Sequence, residues 1–169
     1  MMMVGLISVW DYVVEDGVWR VGVAEGRVCM VVPVGVGCVA DRAMRRFAGW
    51  RVVWCRSEAG ARVAEMIGEF LRGERRVFPV EVMMVGTEFE RRVWSALLQV
   101  GFGERISYGE LARRCGCVGG ARAVGGAVGR NPLLILVPCH RVVAGDGGIG
   151  GFSAGVLLKL RLLEIEDRV

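Results

Sequence analysis

The sequence predicts two domains: an α/β part over residues 1–84, built on an antiparallel sheet with helices, and a mostly helical part over 85–169 containing a helix-turn-helix. Three observations predict this. Valine-rich runs separated by turn residues crowd the first part, a helix start signal (Thr or Ser, then Glu three residues on) occurs twice in the second, and the second part reads as helical from near Met84 until Asn131. With 169 residues and 53% hydrophobic content, the chain can fill sizeable cores and is not mainly disordered.

Leu6 to Val14, Val18 to Val23 and Arg27 to Val32 read as a β-meander joined by the turn sequences "EDG" (15–17) and "AEG" (24–26). A helix is expected over Asp41 to Phe47 and a strand over Arg51 to Cys55. Ser57 reads as the N-cap of a helix to Leu71, with Val63, Met66, Ile67 and Phe70 on its apolar face and Gly73 ending it. Val77 to Val85 reads as a strand or linker around Pro79.

In the second part, Thr87 and Glu90 form a capping box before a helix with Phe89, Val93, Trp94, Leu97 and Leu98 on one face. Ser107 and Glu110 form another before a shorter helix that stops at Gly116. "GGARAVGGAVGRN" supplies a third, and two helices joined by a short glycine-containing turn make the helix-turn-helix pattern, whose second helix is set against DNA. Five glycines lie between Gly119 and Gly129, and each costs a helix interior about 1 kcal/mol relative to Ala. Either the segment is a loop, or its surface must approach something closely, a minor groove about 6 Å wide or another helix.

Charge is placed unevenly. The net charge is +4, yet Arg105 to Arg141 holds six Arg (105, 113, 114, 122, 130 and 141) against one acid, Glu110. A polyanion such as nucleic acid accounts for that window, and so does a solvated face. Lys159 is the single lysine among 22 basic residues. "MMMVGLISVW" lacks a basic start and Asp11 cuts its apolar run short, so no secretory signal or membrane span is expected and the chain reads as intracellular. Six cysteines without C-x-x-C spacing, beside one histidine, make a poor disulfide scaffold and a poor zinc site; no structural metal is expected. Whether Cys29, Cys38 and Cys55 pair with one another is left open.

The chemistry concentrates at "LLILVPCHRVVAGDGGIGGF", residues 133–152. Leu133 to Val137 fits a buried strand delivering Pro138-Cys139-His140-Arg141. A thiol with an unperturbed pKa of about 8.5 carries little thiolate at neutral pH, so a nucleophilic Cys139 needs a base, and His140 is the one imidazole in the chain. Neighbours in an extended strand point to opposite faces, so contact between them requires a turn at 138–141 or a bridging water. An inert buried thiol beside an incidental histidine is the ordinary alternative.

The ordered set "VW", "ISYGELA", "ARAVGGA", "NP", "VPCHRVV", "GDG", "GGF" and "K..LL..E" resembles the O6-alkylguanine-DNA alkyltransferase family from about Phe89 to Glu166. The resemblance implies a ribonuclease-H-like N-terminal domain and a winged-helix-like C-terminal one. It also implies repair of O6-alkylguanine in double-stranded DNA by single-turnover transfer of the alkyl group to Cys139, with no cofactor; whether O4-alkylthymine is repaired too is left open. His140 would deprotonate the thiol through a water, and Glu166, with Glu164 as the competing assignment, would orient the histidine.

Asn131 would brace the turn, Tyr108 would rotate the nucleotide and bond its base, and Arg122 would fill the vacated stack. Ser107, Ala121, Ala123 and Gly125 would line the DNA-facing surface; Val142, Gly151, Phe152 and Ser153 would form the base pocket. A monomer in the cytoplasm, at the nucleoid and away from membranes, is expected. Phe102-Gly103 and Phe152 depart conservatively from the family pattern, and the zinc site of some members has no counterpart. A lesion sensor without chemistry and a Cys-His hydrolase are the rival readings; Cys139 argues against the first, and turnover would mark the second.

Overall fold

The computed structural model describes residues 5–14 and 17–168, which fall into two compact units dividing between Val85 and Gly86. In the first unit, β1 (Leu6–Val14), β2 (Gly17–Ala24) and β3 (Arg27–Pro33) form the meander, ordered β3-β2-β1-β4 with β4 (Arg51–Trp54). The β2–β3 turn needs left-handed backbone at both centre positions, Glu25 at φ 51° and Gly26 at φ 75°, the pattern that matches strand twist in a two-residue hairpin. Most of the "EDG" turn, Glu15 and Asp16, lies outside the described residues.

The sheet is mixed rather than antiparallel, because β4 pairs parallel to β1, Leu6 opposite Arg51 through Val9 opposite Trp54. From β3 the chain passes through α1 (Val39–Met44) and a 3-10 turn (Arg45–Phe47), and so re-enters at the far edge running the same way. A crossover of that length permits a parallel neighbour, which a tight hairpin cannot. The segment 77–85 is no strand; it meets β3 through a single bridge between Val28 and Val82.

Helix α2 (Glu58–Leu71) packs on β1 and β2. Ser57 caps it by accepting from the Gly60 amide at 3.1 Å, and Val63, Met66, Ile67 and Phe70 are buried as the periodicity predicts. Each such side chain contributes about 1.5–3 kcal/mol.

The second unit holds α3 (Glu88–Leu97), β5 (Ile106–Ser107), α4 (Tyr108–Arg114), α5 (Ala121–Gly129), β6 (Val142–Val143) and α6 (Val156–Asp167), with β5 and β6 paired in parallel. The Thr87–Glu90 capping box is complete in both directions. Glu90 also takes the Arg130 guanidinium at 2.6 Å, which explains a buried carboxylate on the helix. Val93, Trp94 and Leu97 are buried, and the Trp94 indole donates to the Ala127 carbonyl at 2.9 Å, tying α3 to α5. Leu98 departs from the expected face: it is the C-cap and 43% exposed, because the helix ends before it.

The second box is half made. Ser107 accepts from the Glu110 amide at 3.1 Å, but the Glu110 carboxylate turns to Arg113 and Arg114. The glycine-rich third segment is a helix, settling the choice between loop and helix; Val124, Ala127 and Val128 form its buried side. Among the described residues no helix is long and apolar enough to cross a membrane.

Candidate active site

The expected strand at Leu133 to Val137 is instead a compact buried turn. Asn131 ties its two ends: its side-chain oxygen accepts from the Leu133 amide at 2.9 Å, and its amide donates to the Val137 carbonyl at 2.9 Å. The Val137 amide bonds the Leu133 carbonyl at 2.8 Å, and Ile135 is held at φ 71°, a region that β-branched residues rarely enter. A run that is apolar throughout has no period, so its sequence cannot distinguish strand from buried turn.

The turn delivers Cys139 to Arg141 as one 3-10 turn, the bend that contact between neighbouring side chains requires. Cys139 is 2% exposed. Burial pushes its thiol up to about 11, although the Asn131 side chain, its own amide, the Lys159 ammonium and the His140 amide all favour the thiolate. Asn131 therefore serves twice: it braces the turn, and its side chain favours the thiolate.

His140 is fully buried with Nε2 2.9 Å from Glu166 Oε1. The same carboxylate accepts from Arg141 Nε at 3.0 Å, from Arg141 Nη2 at 2.7 Å and from the Gly103 amide at 3.1 Å. Burial works to raise the Glu166 pKa, but the bonds from His140 and Arg141 outweigh it and hold the carboxyl at about 2. An ionised Glu166 is an acceptor only, so Nε2 carries the hydrogen and the neutral ring keeps its basic lone pair on Nδ1. Burial lowers the His140 pKa, and Glu166 opposes that. Glu164 is exposed and pairs with Arg168 at 3.4 Å, so it is not the histidine's partner.

Tyr108 opens α4, half-buried, and shares a cavity of about 230 Å³ with Gly125, Val128, Gly129, Gly151, Phe152 and Ser153. Its hydroxyl lies 3.5 Å from the Gly151 carbonyl, and its pKa is raised by burial and then by the nearby Cys139. The Ser153 hydroxyl is buried without a hydrogen-bond partner among the described residues, leaving it for something that enters. A shallower groove beside it is lined by Tyr108, Gly109, Ala121, Arg122, Gly125, Ala144 and Gly145, with the Arg122 side chain exposed.

The Ser107 hydroxyl caps α4 as expected, Ala123 is exposed outside the lining of the groove, and the Val142 carbonyl accepts from Lys159.

The family described as 6-O-methylguanine DNA methyltransferase, DNA binding domain, matches residues 88–168, which include every site residue named above. A methylated-DNA–protein-cysteine methyltransferase of Mycobacterium leprae is 45% identical over 117 residues, 69% of this chain and 71% of that one. The chain belongs to the methylated-DNA–protein-cysteine methyltransferases. Among solved structures, Mycobacterium tuberculosis OGT in complex with DNA superposes with a TM-score of 0.80 at 31% identity, over 95% of this chain and 93% of that one. The O6-methylguanine-DNA methyltransferase of Pyrococcus kodakaraensis gives 0.67 at 35% identity, over 95% and 98%.

Two buried cations of this methyltransferase site went unassigned in the sequence. Lys159 is fully buried, and its ammonium donates to the carbonyls of Val142 and Ile149 at 2.6 Å each and of Gly151 at 3.2 Å. It closes the loop that carries Gly151 and brings a positive charge near Cys139; burial lowers its pKa, and Cys139 opposes that. Arg141 links Glu166 to the Val100 carbonyl, 2.6 Å from Nη1. The usable signal was composition: a chain that otherwise writes every basic residue as Arg keeps one Lys, at 159.

Proposed function

We propose that this methyltransferase repairs O6-alkylguanine in double-stranded DNA by irreversible transfer of the alkyl group to Cys139, one group per protein molecule. The observation that carries the reading is the pairing of Cys139 and His140 on one buried, bent turn, with Glu166 of α6 held 2.9 Å from the histidine.

The thiol proton passes to His140 Nδ1 through a water, and the imidazolium is stabilised by Glu166. The sulfur lone pair then forms the S–C bond to the alkyl carbon as the C–O bond breaks. Its electron pair stays on the guanine, whose growing negative charge the Tyr108 hydroxyl relieves by donating a hydrogen bond. A proton then restores neutral guanine. Displacement at an alkyl carbon passes through no tetrahedral acyl intermediate, so the reading needs no oxyanion hole of the acyl-transfer kind.

A buried thiol cannot reach a base inside the stack, so the nucleotide must rotate out, at a cost of a few kcal/mol that is smallest for a damaged pair. Arg122, exposed on α5 at the rim of the groove, fills the gap, and the small surface of Ala121 and Gly125 lets the helix approach the minor groove. Ser153 and Gly151 meet the flipped base. The finer fold assignments belong to the same proposal: a ribonuclease-H-like support over 1–84, and a winged-helix-like DNA-binding and alkyl-transfer domain over 85–169.

The test is intact mass and peptide mapping after incubation with a duplex carrying one O6-methylguanine. One methyl group on Cys139, absent in Cys139→Ala, is the expected result. Lesion binding without transfer would favour a sensor, and repeated turnover a hydrolase.

A further inference from the structure

The turn between α4 and α5 carries two cysteines that the repair reaction does not use. Cys115 is the C-cap of α4, Gly116 follows at φ 69°, and Cys117 comes next. Two bonds shape the turn: the Gly116 amide donates to the Arg113 carbonyl at 3.0 Å and the Cys117 amide to the Ala112 carbonyl at 2.8 Å, the double closure of a Schellman motif. Only a residue free to adopt left-handed backbone sits comfortably between the two thiols.

Even a fully extended chain places residues i and i+2 only about 7 Å apart, and this turn brings them closer, inside the Cα separation a disulfide spans. Burial raises the Cys115 thiol, and the neighbouring Cys117 adds to the rise. Cys115 is buried, with Sγ 3.5 Å from the Ala112 carbonyl, and Cys117 is half-buried. The Cys117 sulfur lies over Gly120, the N-cap of α5, so closely that a Cβ there would stand 2.2 Å from it.

We propose that Cys115 and Cys117 form a reversible oxidation site whose disulfide, made by a peroxide, weakens the hold of α5 on DNA. A Cys117 thiolate attacks the peroxide O–O bond, giving a sulfenic acid and releasing water. The Cys115 thiol then displaces hydroxide from that sulfur, forming the S–S bond and a second water. Two thiols are oxidised, one peroxide is reduced and two hydrogens leave the protein. Bond formation draws the Cys117 sulfur off Gly120 and the Cys115 sulfur off Ala112, shifting the start of the helix that carries Arg122. Cys139 is spared at moderate exposure to peroxide, since it is 2% exposed and remains a thiol up to about 11.

The effect on DNA rests on the reading of α5 as the DNA-facing helix; formation of the disulfide does not. Trypsin releases residues 115–122, "CGCVGGAR", which contains both cysteines and no other. The full-length chain is treated with hydrogen peroxide, its remaining thiols are blocked with N-ethylmaleimide, and peptides and lesion-duplex affinity are measured before and after dithiothreitol.

The expected result is that peptide 115–122 loses two hydrogens while Cys139 remains blockable. Affinity should fall about tenfold, within the usual range for coupling between two sites, and recover on reduction. Cys117→Ser should keep its affinity under peroxide. Earlier oxidation of Cys139, a single oxygenated cysteine in 115–122, a bridge to Cys38 or Cys55, or unchanged affinity of the oxidised form would each overturn the proposal. Reduced protein that gains no methyl group on Cys139 would instead overturn the repair reading.

Discussion

Replacing Glu166 by glutamine keeps the side chain's shape and removes the charge that Arg141, His140 and the Gly103 amide converge on. The carboxyl moves from an ordinary 4.5 to about 2, which at 1.36 kcal/mol per unit is about 3 kcal/mol. Only 1% of the side chain is exposed, so solvent screening takes little from this figure. Removing one partner of a buried ion pair costs about 3–5 kcal/mol, an independent route to the same size.

The folded pKa lies below the unfolded one, so on acidification the unfolded chain takes up the proton first. The contribution is whole above pH 4.5 and is lost as the pH falls from there to about 2. Glu166→Gln should therefore be less stable than the parent by about 3 kcal/mol at pH 7, and the difference should close as the pH approaches 2. Urea unfolding read from backbone amide NMR signals of residues 86–168 isolates the relevant unit, since two units need not unfold together. A difference that stays constant with pH would refute the argument, because hydrogen bonding by the amide rather than loss of charge would then account for it, and so would one below about 1 kcal/mol at pH 7.

Arg122→Ala should leave stability within about 0.5 kcal/mol, because the side chain is exposed, yet slow methyl transfer from a duplex while sparing transfer from free O6-methylguanine; equal losses on both substrates would remove Arg122 from nucleotide rotation. Asn131→Ala orphans the buried Leu133 amide, worth about 1–3 kcal/mol, and leaves the Val137 carbonyl with the Cys139 amide alone. Thermal unfolding should show that loss, and methyl transfer should slow beyond what the unfolded fraction explains. Lys159→Met removes the ammonium from three carbonyls and should cost about 3 kcal/mol or more. Hydrogen exchange should rise first across 142–151, and protection unchanged there would count against Lys159 as the closure of that loop.

Features set by neighbouring residues were legible in the sequence. Ser57 and Thr87 cap helices because a hydroxyl and an amide three residues away are all the contact requires. Features set by the return path of the chain were not. The direction of β4 depends on where residues 34–50 deposit it, and no local pattern in "RVVW" records that. The turn at 133–137 hid for a different reason: burial on all sides erased its period, and Asn131, which shapes it, looks from the sequence like the residue before a proline.

Helix α6 shows how far pattern could have gone. Four of its five buried residues, Lys159, Leu162, Leu163 and Glu166, stand at i, i+3, i+4 and i+7, a core-facing stripe whose two ends are charged, and Ile165 flanks it. Val156, Leu157 and Leu160 take the outer side, so the helix reads as weakly amphipathic although its packing is well defined. The inversion is itself informative. A charge is costly to bury and survives only where partners await it, so Lys and Glu at the ends of an apolar stripe point to polar groups beneath the helix. Those groups are the carbonyls of 142–151 and the His140-Arg141 turn. The same phase puts Glu166 inward and Glu164 in solvent, so the choice left open by the motif was decidable from helix geometry alone once Lys159 was taken as the first residue of the stripe.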